Sequence, residues 1–354
     1  MHSTLFNIFF FLGCSLNLSV FAGPGKVDFI DSYFSEYDHP DTPGAAVLVM
    51  QNGETLFERG YGLAQISSAS AVTPKTNFRL ASLSKQFTAT AILLLVQQKQ
   101  LSLDSRLITF FPKLSNYASK ITIRQLLNHT SGLVDYEDLI PASQTQQLTD
   151  YDVLSLLEKQ KSTYFSPGSQ YRYSNGGYVL LGLIVERITG TSFSQFLKQN
   201  MFTPLSMNNS LMYEGSQTDI PFRAFGYTAF GNSFKQTDQS VTSATRGDGG
   251  VYTSLNDWAL WENAINENIL LSNELQEMAF SPGQLSNGSF TEYGFGWMVD
   301  VFKGLTHQYH TGSTIGFRTG VERFPQKNLM VLVLINRANS TPWTIARNIA
   351  ERLF

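Results

Sequence analysis

The chain has 354 residues, of which 42% are hydrophobic and only 15% charged, with a formal net charge of -3. That length and apolar content suffice for one large core or two lobes, and the charge balance gives no electrostatic footprint for nucleic acid. No run of like charges, low-complexity segment or internal repeat interrupts it, which argues against disordered and solenoid architectures.

In chain order, Leu5-Phe6-Asn7-Ile8-Phe9-Phe10-Phe11-Leu12 is apolar but for Asn7 and leads to Val20-Phe21-Ala22, a small-residue cleavage site. The reading is a secretory signal peptide over 1–22, with a mature chain of 23–354 in the periplasm or secreted. The run is too short and too polar to span a bilayer. Cys14, after Leu12-Gly13, allows a lipoprotein as the alternative, and lipidation there would be the one route to a membrane. Cys14 is the only cysteine, so a mature chain has no thiol nucleophile, thiolate metal site or disulfide.

Gly44 to Gln51 reads as a buried strand, and Asn52-Gly53 as a hairpin turn into Glu54 to Arg59. Ser82-Leu83-Ser84-Lys85 then opens an apolar run, Phe87 to Val96, which predicts a helix from about Ser82 to Gln100. On its first turn Ser82 and Lys85 share a face, within reach of each other. A serine hydroxyl needs a base to become a nucleophile, and a lysine is one when burial or a nearby cation lowers its pKa. Ser-x-x-Lys is a weak motif, expected about once by chance in a chain this long, but this is the sole instance here.

Helical patterns continue over Ile123 to Asn128, Tyr151 to Gln160, Tyr178 to Thr189 and Asp257 to Asn266, separated by Gly-, Ser- and Asn-rich loops. One of these loops holds Tyr173-Ser174-Asn175-Gly176-Gly177. A loop tyrosine can exchange protons and an asparagine amide can bind a substrate carbonyl, although the tripeptide alone also suits a plain surface turn. His310-Thr311-Gly312-Ser313 reads as a strand with a close backbone approach at its glycine. His310 is a candidate general acid or substrate-orienting donor. His307 and His310 are the only close histidine pair, on a strand and without cysteine, so no metal site and no cofactor is read here. Thr319 to Phe324 and Leu329 to Asn336 form another antiparallel pair. Pro342 starts a terminal helix with Ile345, Ile349 and Leu353 on one face.

Strands at both ends of the chain should pair into one sheet with terminal helices packed on it. The expected fold is α/β (α+β), a sheet lobe over about 25–85 and 274–354 with a mainly helical lobe over about 86–273. Ser82 and His310 would meet at the cleft between the lobes.

The three words Ser82-Leu83-Ser84-Lys85, Tyr173-Ser174-Asn175 and His310-Thr311-Gly312, in this order, resemble the penicillin-recognising serine hydrolases. Tyr-Ser-Asn is similar to the class C β-lactamase and D-alanyl-D-alanine carboxypeptidase branch, and His-Thr-Gly to carboxypeptidases, esterases and D-peptidases. Framework segments agree: Leu126-Leu127-Asn128-His129-Thr130-Ser131-Gly132-Leu133, Gly249-Gly250-Val251-Tyr252-Thr253-Ser254 and Tyr293-Gly294-Phe295-Gly296-Trp297. The resemblance covers about residues 25 to 354 and implies a β-lactamase/transpeptidase-like fold.

By that resemblance Ser82 is acylated, and Lys85 and Tyr173 share proton transfer. Asn175 holds the substrate amide, and His310 takes the place of the family's lysine. Thr311, Gly312 and Ser313 form the substrate-facing strand edge. The N–H groups of Ser82 and Ser313 form an oxyanion hole worth roughly 3–4 kcal/mol per donor. Arg318 is a candidate for a substrate carboxylate. The implied partner is a small molecule or peptide: a peptidoglycan-type D-peptide, a β-lactam or an ester. Carboxypeptidase, esterase and β-lactamase are the implied activities, in that order, since the departure from Lys-Thr-Gly counts against efficient β-lactamase action. A non-catalytic penicillin-binding-like sensor or binding module is the alternative of another class. An α/β-hydrolase would need a Gly-x-Ser-x-Gly elbow, and the chain has none.

Overall fold

The computed structural model describes residue 25 and residues 27–354 apart from 115. The leader expected over 1–22, with Cys14, lies outside the described residues. Six antiparallel strands make the main sheet: β1 (Ala45–Gln51), β2 (Glu54–Tyr61), β3 (Met298–Phe302), β4 (Leu305–Thr314), β5 (Phe317–Phe324) and β6 (Leu329–Ile335). Their order across the sheet is β3-β4-β5-β6-β1-β2.

The expected pairing of the two chain ends is the β1–β6 ladder, in register from Ala45 opposite Ile335 to Gln51 opposite Leu329. Both strands are apolar at every position but Gln51, as strands covered on both faces require. Asn52 and Gly53 both take positive φ, 56° and 81°, which is the backbone a two-residue hairpin turn into β2 demands.

Alternation splits the apolar side chains between two cores. Ala46, Leu48 and Met50 with Met330, Leu332 and Leu334 face a large helical layer. That layer contains α1 (Lys85–Gln97), α2 (Asn175–Thr189) and α3 (Leu255–Asn266), with aromatic anchors such as Phe87, stacked at 4.4 Å on Trp261. Ala45, Val47 and Val49 with Val331, Val333 and Ile335 face the opposite way, onto Ile30, Phe34 and the terminal helix α4 (Pro342–Leu353). On α4, Ile349 and Leu353 are buried as expected, and Ile345 packs at the rim. Each Val, Leu, Ile, Met or Phe fully buried in this way contributes roughly 1.5–3 kcal/mol over its exposed state.

The expected elements differ mainly at their ends. Ala81–Ser84 form a 3-10 turn, so α1 starts at Lys85 instead of Ser82. The cause is that this segment is stitched sideways before it can coil. Phe78 and Arg79 pair with Thr253 and Tyr252, Leu80 N donates to Val251 O at 2.9 Å, and Val251 N donates to Ser84 Oγ at 3.0 Å. Short helices at Phe193–Leu197 and Asn273–Ala279, and a hairpin of Tyr227–Phe230 with Ser233–Gln236, are additional to the sequence reading. Among the described residues, no helix is long and apolar enough to cross a membrane.

Candidate active site

Ser82 is presented by a constrained backbone. Ala81, just before it, sits at φ +51°, a conformation that costs a non-glycine residue of order 1 kcal/mol and persists only where its surroundings enforce it. The enforcement comes from two sides. One is the Val251 strand already described. The other is β4 and β5: Thr319 Oγ1 donates to Leu80 O at 2.8 Å, and a Cβ on Gly312 would overlap both Thr319 Oγ1 and the Leu80 carbonyl. The close approach expected at Gly312 is therefore this contact, and it brings the end of β4 against the Ser82 segment.

Lys85 is fully buried. Its Nζ has three neighbours in hydrogen-bonding range: Asn175 Oδ1 at 2.8 Å, the Asp248 carbonyl at 2.8 Å and Ser82 Oγ at 3.2 Å. The rings of Tyr173 and Tyr178 stand 4.8 Å and 5.5 Å away. Burial lowers the ammonium pKa to about 8, against the opposing pull of Asp248, Asp135 and Glu137. At pH 7 about one molecule in ten then carries a neutral amine, roughly 300-fold more than for an unperturbed lysine. In that neutral form two N–H groups go to the Asn175 and Asp248 oxygens, and the lone pair is left facing the Ser82 hydroxyl.

Tyr173 and Asn175 reach this point from the N-terminus of α2. Ser174 caps the helix, accepting from Gly177 N at 3.3 Å, and Asp135 accepts from Asn175 N and Gly176 N at 3.3 and 3.4 Å. His129, at φ +58°, braces the preceding turn: its carbonyl accepts from Arg172 N and its Nδ1 from Ser174 N at 3.1 Å. An accepting Nδ1 means neutral imidazole, and burial holds the His129 pKa well below its ordinary value. The Tyr173 hydroxyl is buried and makes no hydrogen bond of good geometry. Burial raises its pKa strongly; the neighbouring Ser82 hydroxyl pulls the other way and loses. Asn175 is engaged at both ends, its Nδ2 donating to Glu137 Oε1 at 3.0 Å, which leaves one N–H for a ligand.

His310 lies near Tyr173, ring centroids 6.2 Å apart, but it is not a cation. Nδ1–H donates to Thr311 O at 2.7 Å, so Nε2 accepts from the Tyr293 hydroxyl at 2.8 Å. Burial and the charge of Lys85 depress its pKa to about 3. His307, on the other face of β4, lies between Asp300 and Glu322, so the two histidines do not converge. Ser313 lines the same cavity as Ser82, while Thr311 and Gly312 do not line it. Arg318 does not line it; its guanidinium donates to Thr314 O and Phe317 O at 2.6 and 2.7 Å, within its own turn.

The cavity at Ser82 measures about 230 Å³. Its walls include residues that the motif reading passed over: Glu137, Asp248, Thr245 and Arg79. Asp248 immediately precedes the Gly249-Gly250 framework word, so the nearest sequence signal stopped one residue short of it. Gly247 sets its position, since a Cβ there would collide with the Tyr178 carbonyl, and Thr88 Oγ1 donates to Gly247 O at 2.6 Å. Arg79 donates from Nη2 to Ser243 O at 2.7 Å, while its buried Nε has no partner.

The sequence profile of the family described as Beta-lactamase matches residues 30–353. Penicillin-binding protein 4* of Bacillus subtilis is 31% identical over 84% of this chain and 69% of its own length. D-aminopeptidase of Brucella ovis is 29% identical over 83% of this chain, which spans 56% of that relative. The crystal structure of penicillin binding protein from Bacillus halodurans superposes with a TM-score of 0.76 at 28% identity, covering 87% of this chain and 95% of the other. A profile match over nearly the whole described chain, joined to the Ser82–Lys85 geometry, makes this protein a member of the beta-lactamase family of serine hydrolases.

Proposed function

We propose that the protein is an acyl-enzyme amidohydrolase acting on small D-amino acid amides or short D-peptides. The observation that carries the reading is the Lys85 amine, buried, near-neutral and directed at Ser82 Oγ. Lys85 takes the Ser82 proton as Oγ attacks the substrate carbonyl. The backbone N–H groups of Ser82 and Ser313 receive the developing oxyanion. The Tyr173 phenol, held protonated by its burial, relays the proton from Lys85 to the departing amine. Water then cleaves the ester with Lys85 again as base.

The preference for amides over the carboxypeptidase and β-lactamase readings rests on charge. A D-alanyl-D-alanine peptide and a penicillin each bring a carboxylate, which needs a free cation in the cleft. Arg318 stands outside the cavity and His310 is neutral, and the wall sets the carboxylates of Glu137 and Asp248 against the single guanidinium of Arg79. The likeness to D-aminopeptidase supports the same choice.

The test is intact mass of the protein with a D-amino acid p-nitroanilide and, separately, with benzylpenicillin. Release of nitroaniline by the wild type but not by Ser82→Ala is expected, with little or no penicilloyl adduct. A rapid, stable penicilloyl adduct on Ser82 without anilide turnover would overturn the substrate reading. Turnover that survives Ser82→Ala would overturn the mechanism.

A further inference from the structure

His129 belongs to the Leu126–Leu133 framework word and takes no part in the chemistry above, yet it is 1% exposed and holds a left-handed backbone at φ +58°. That is a strained position for a non-glycine residue, and the helix before it enforces it. Ile123–Leu127 opens on a capping box of Thr122 and Gln125, and His129 N donates to Leu126 O at its end, at 3.4 Å. From there two prongs reach the Tyr173 turn. The His129 carbonyl accepts from Arg172 N at 2.9 Å, and Nδ1 accepts from Ser174 N at 3.1 Å. These are the amides immediately before and after Tyr173. The imidazole also lies against the Tyr173 ring, centroids 4.2 Å apart and planes at 36°, with the rings of Tyr293 and Tyr178 at 4.5 and 5.1 Å. Accepting at Nδ1 leaves the ring proton on Nε2, which is buried and has no hydrogen-bond partner. One ring nitrogen is thus left bare while the other is committed to the peptide after Tyr173. The residue is arranged around that tyrosine more than around its own hydrogen bonds.

The Tyr173 hydroxyl makes no hydrogen bond of good geometry, so its place is set by its backbone and by the rings around it. Asn175, two residues on, is held separately: its amide donates to Asp135, and its side chain lies between Lys85 and Glu137. We infer that His129 is the positioning residue of Tyr173, gripping the backbone on both sides of it and facing its ring, so that the phenol stays on the proton path from Lys85 to the departing amine. This inference rests on the amidohydrolase reading above and adds the part that places its acid. As the C–N bond of the tetrahedral intermediate breaks, the phenol gives its proton to the nitrogen and takes one from the Lys85 ammonium. A leaving group that departs as a stable anion needs no such proton, so loss of the grip should tell on amides before esters.

The experiment compares kcat/KM for D-alanine p-nitroanilide, whose nitrogen must be protonated to leave, with that for D-alanine p-nitrophenyl ester, whose nitrophenolate leaves unprotonated. Wild type, His129→Phe, His129→Asn, Tyr173→Phe and the double variant Tyr173→Phe/His129→Phe are measured, each normalised to the Ser82 sites that a fluorophosphonate labels. Phenylalanine keeps a ring and removes the acceptor, so the anilide-to-ester ratio should fall by about 10- to 100-fold in His129→Phe. His129→Ala, which removes the acceptor without bulk, takes its place if the phenylalanine protein does not fold. Asparagine keeps an acceptor at the position of Nδ1 and tolerates left-handed backbone, so His129→Asn should restore most of the ratio. In the double variant His129→Phe should lower the ratio no further than Tyr173→Phe does, because its effect passes through the Tyr173 hydroxyl. A ratio unchanged by His129→Phe, an equal fall on both substrates, or a further fall in the double variant would each overturn the inference and leave the amidohydrolase reading standing. A wild type that releases no nitroaniline would overturn that reading, and the His129 assignment with it.

Discussion

At the scale of single residues, the decisive quantity is how much of Lys85 is unprotonated. Desolvation brings its pKa to about 8 although three carboxylates pull it upward. A base must be deprotonated to act, so on a substrate without a titrating amine kcat/KM should rise with pH and level off above about 8. No second, acidic inflection should come from His310, which loses its proton at about 3. A profile that instead falls between pH 6 and 8 would contradict Lys85 as the base. Ser82→Ala should abolish turnover with almost no change in Tm, because Ser82 contributes its hydroxyl to the site and little to the core. Lys85→Ala should lower kcat/KM by about 10²–10⁴, the usual range for a lost general base. His310→Gln should cost less than about 10-fold, since its neutral ring supports Tyr293 and the strand without facing the serine. Steady-state kinetics on one substrate ranks the three, and equal losses for Lys85 and His310 would refute the division of labour.

At the scale of elements, the site depends on β4 lying hard against residues 80–82. Gly312→Ala should therefore push β4 from Leu80, costing about 1–3 kcal/mol as overpacking does and slowing Ser82 labelling. Chemical denaturation with parallel labelling kinetics measures both, and a fully active, equally stable variant would show that the contact is slack. Much of this layer was legible beforehand. Periodicity located β1, β6, α2, α3 and α4 to within a few residues, because each is strongly apolar and bounded by Asn-Gly, Ser or Pro signals. The glycine of His310-Thr311-Gly312 announced a close approach, and the Ser82–Lys85 spacing announced a pair that the fold places 3.2 Å apart. What local pattern could not supply was anything decided by distant neighbours. The start of α1 is set by the Val251 strand, the neutrality of His310 by burial beside Lys85, and the engagement of Arg318 by its own turn carbonyls. Asp248 and Glu137 carry no motif, and only folding brings them to Ser82.

At the scale of the whole molecule, β1 and β6 are shared property. Alternate side chains of the same two strands enter the helical core and the terminal-helix core. Neither core can lose the sheet without exposing the other, so unfolding should be a single event. The fluorescence of Trp258 and Trp261, both buried on α3, should report the same midpoint as far-ultraviolet circular dichroism. Two separated transitions would mean that the helical layer melts independently.

The pieces of the site are scattered along the chain: Ser82 and Lys85 early, Tyr173 and Asn175 near the middle, Asp248 later, Ser313 near the end. Residue Ala81 can hold its left-handed backbone only after β4, β5 and the Val251 strand have closed around it. The Ser82 geometry thus depends on contacts drawn from all of these segments at once. For the experimenter, the rate at which an activity-based probe marks Ser82 becomes a gauge of how many molecules in a preparation have completed their fold.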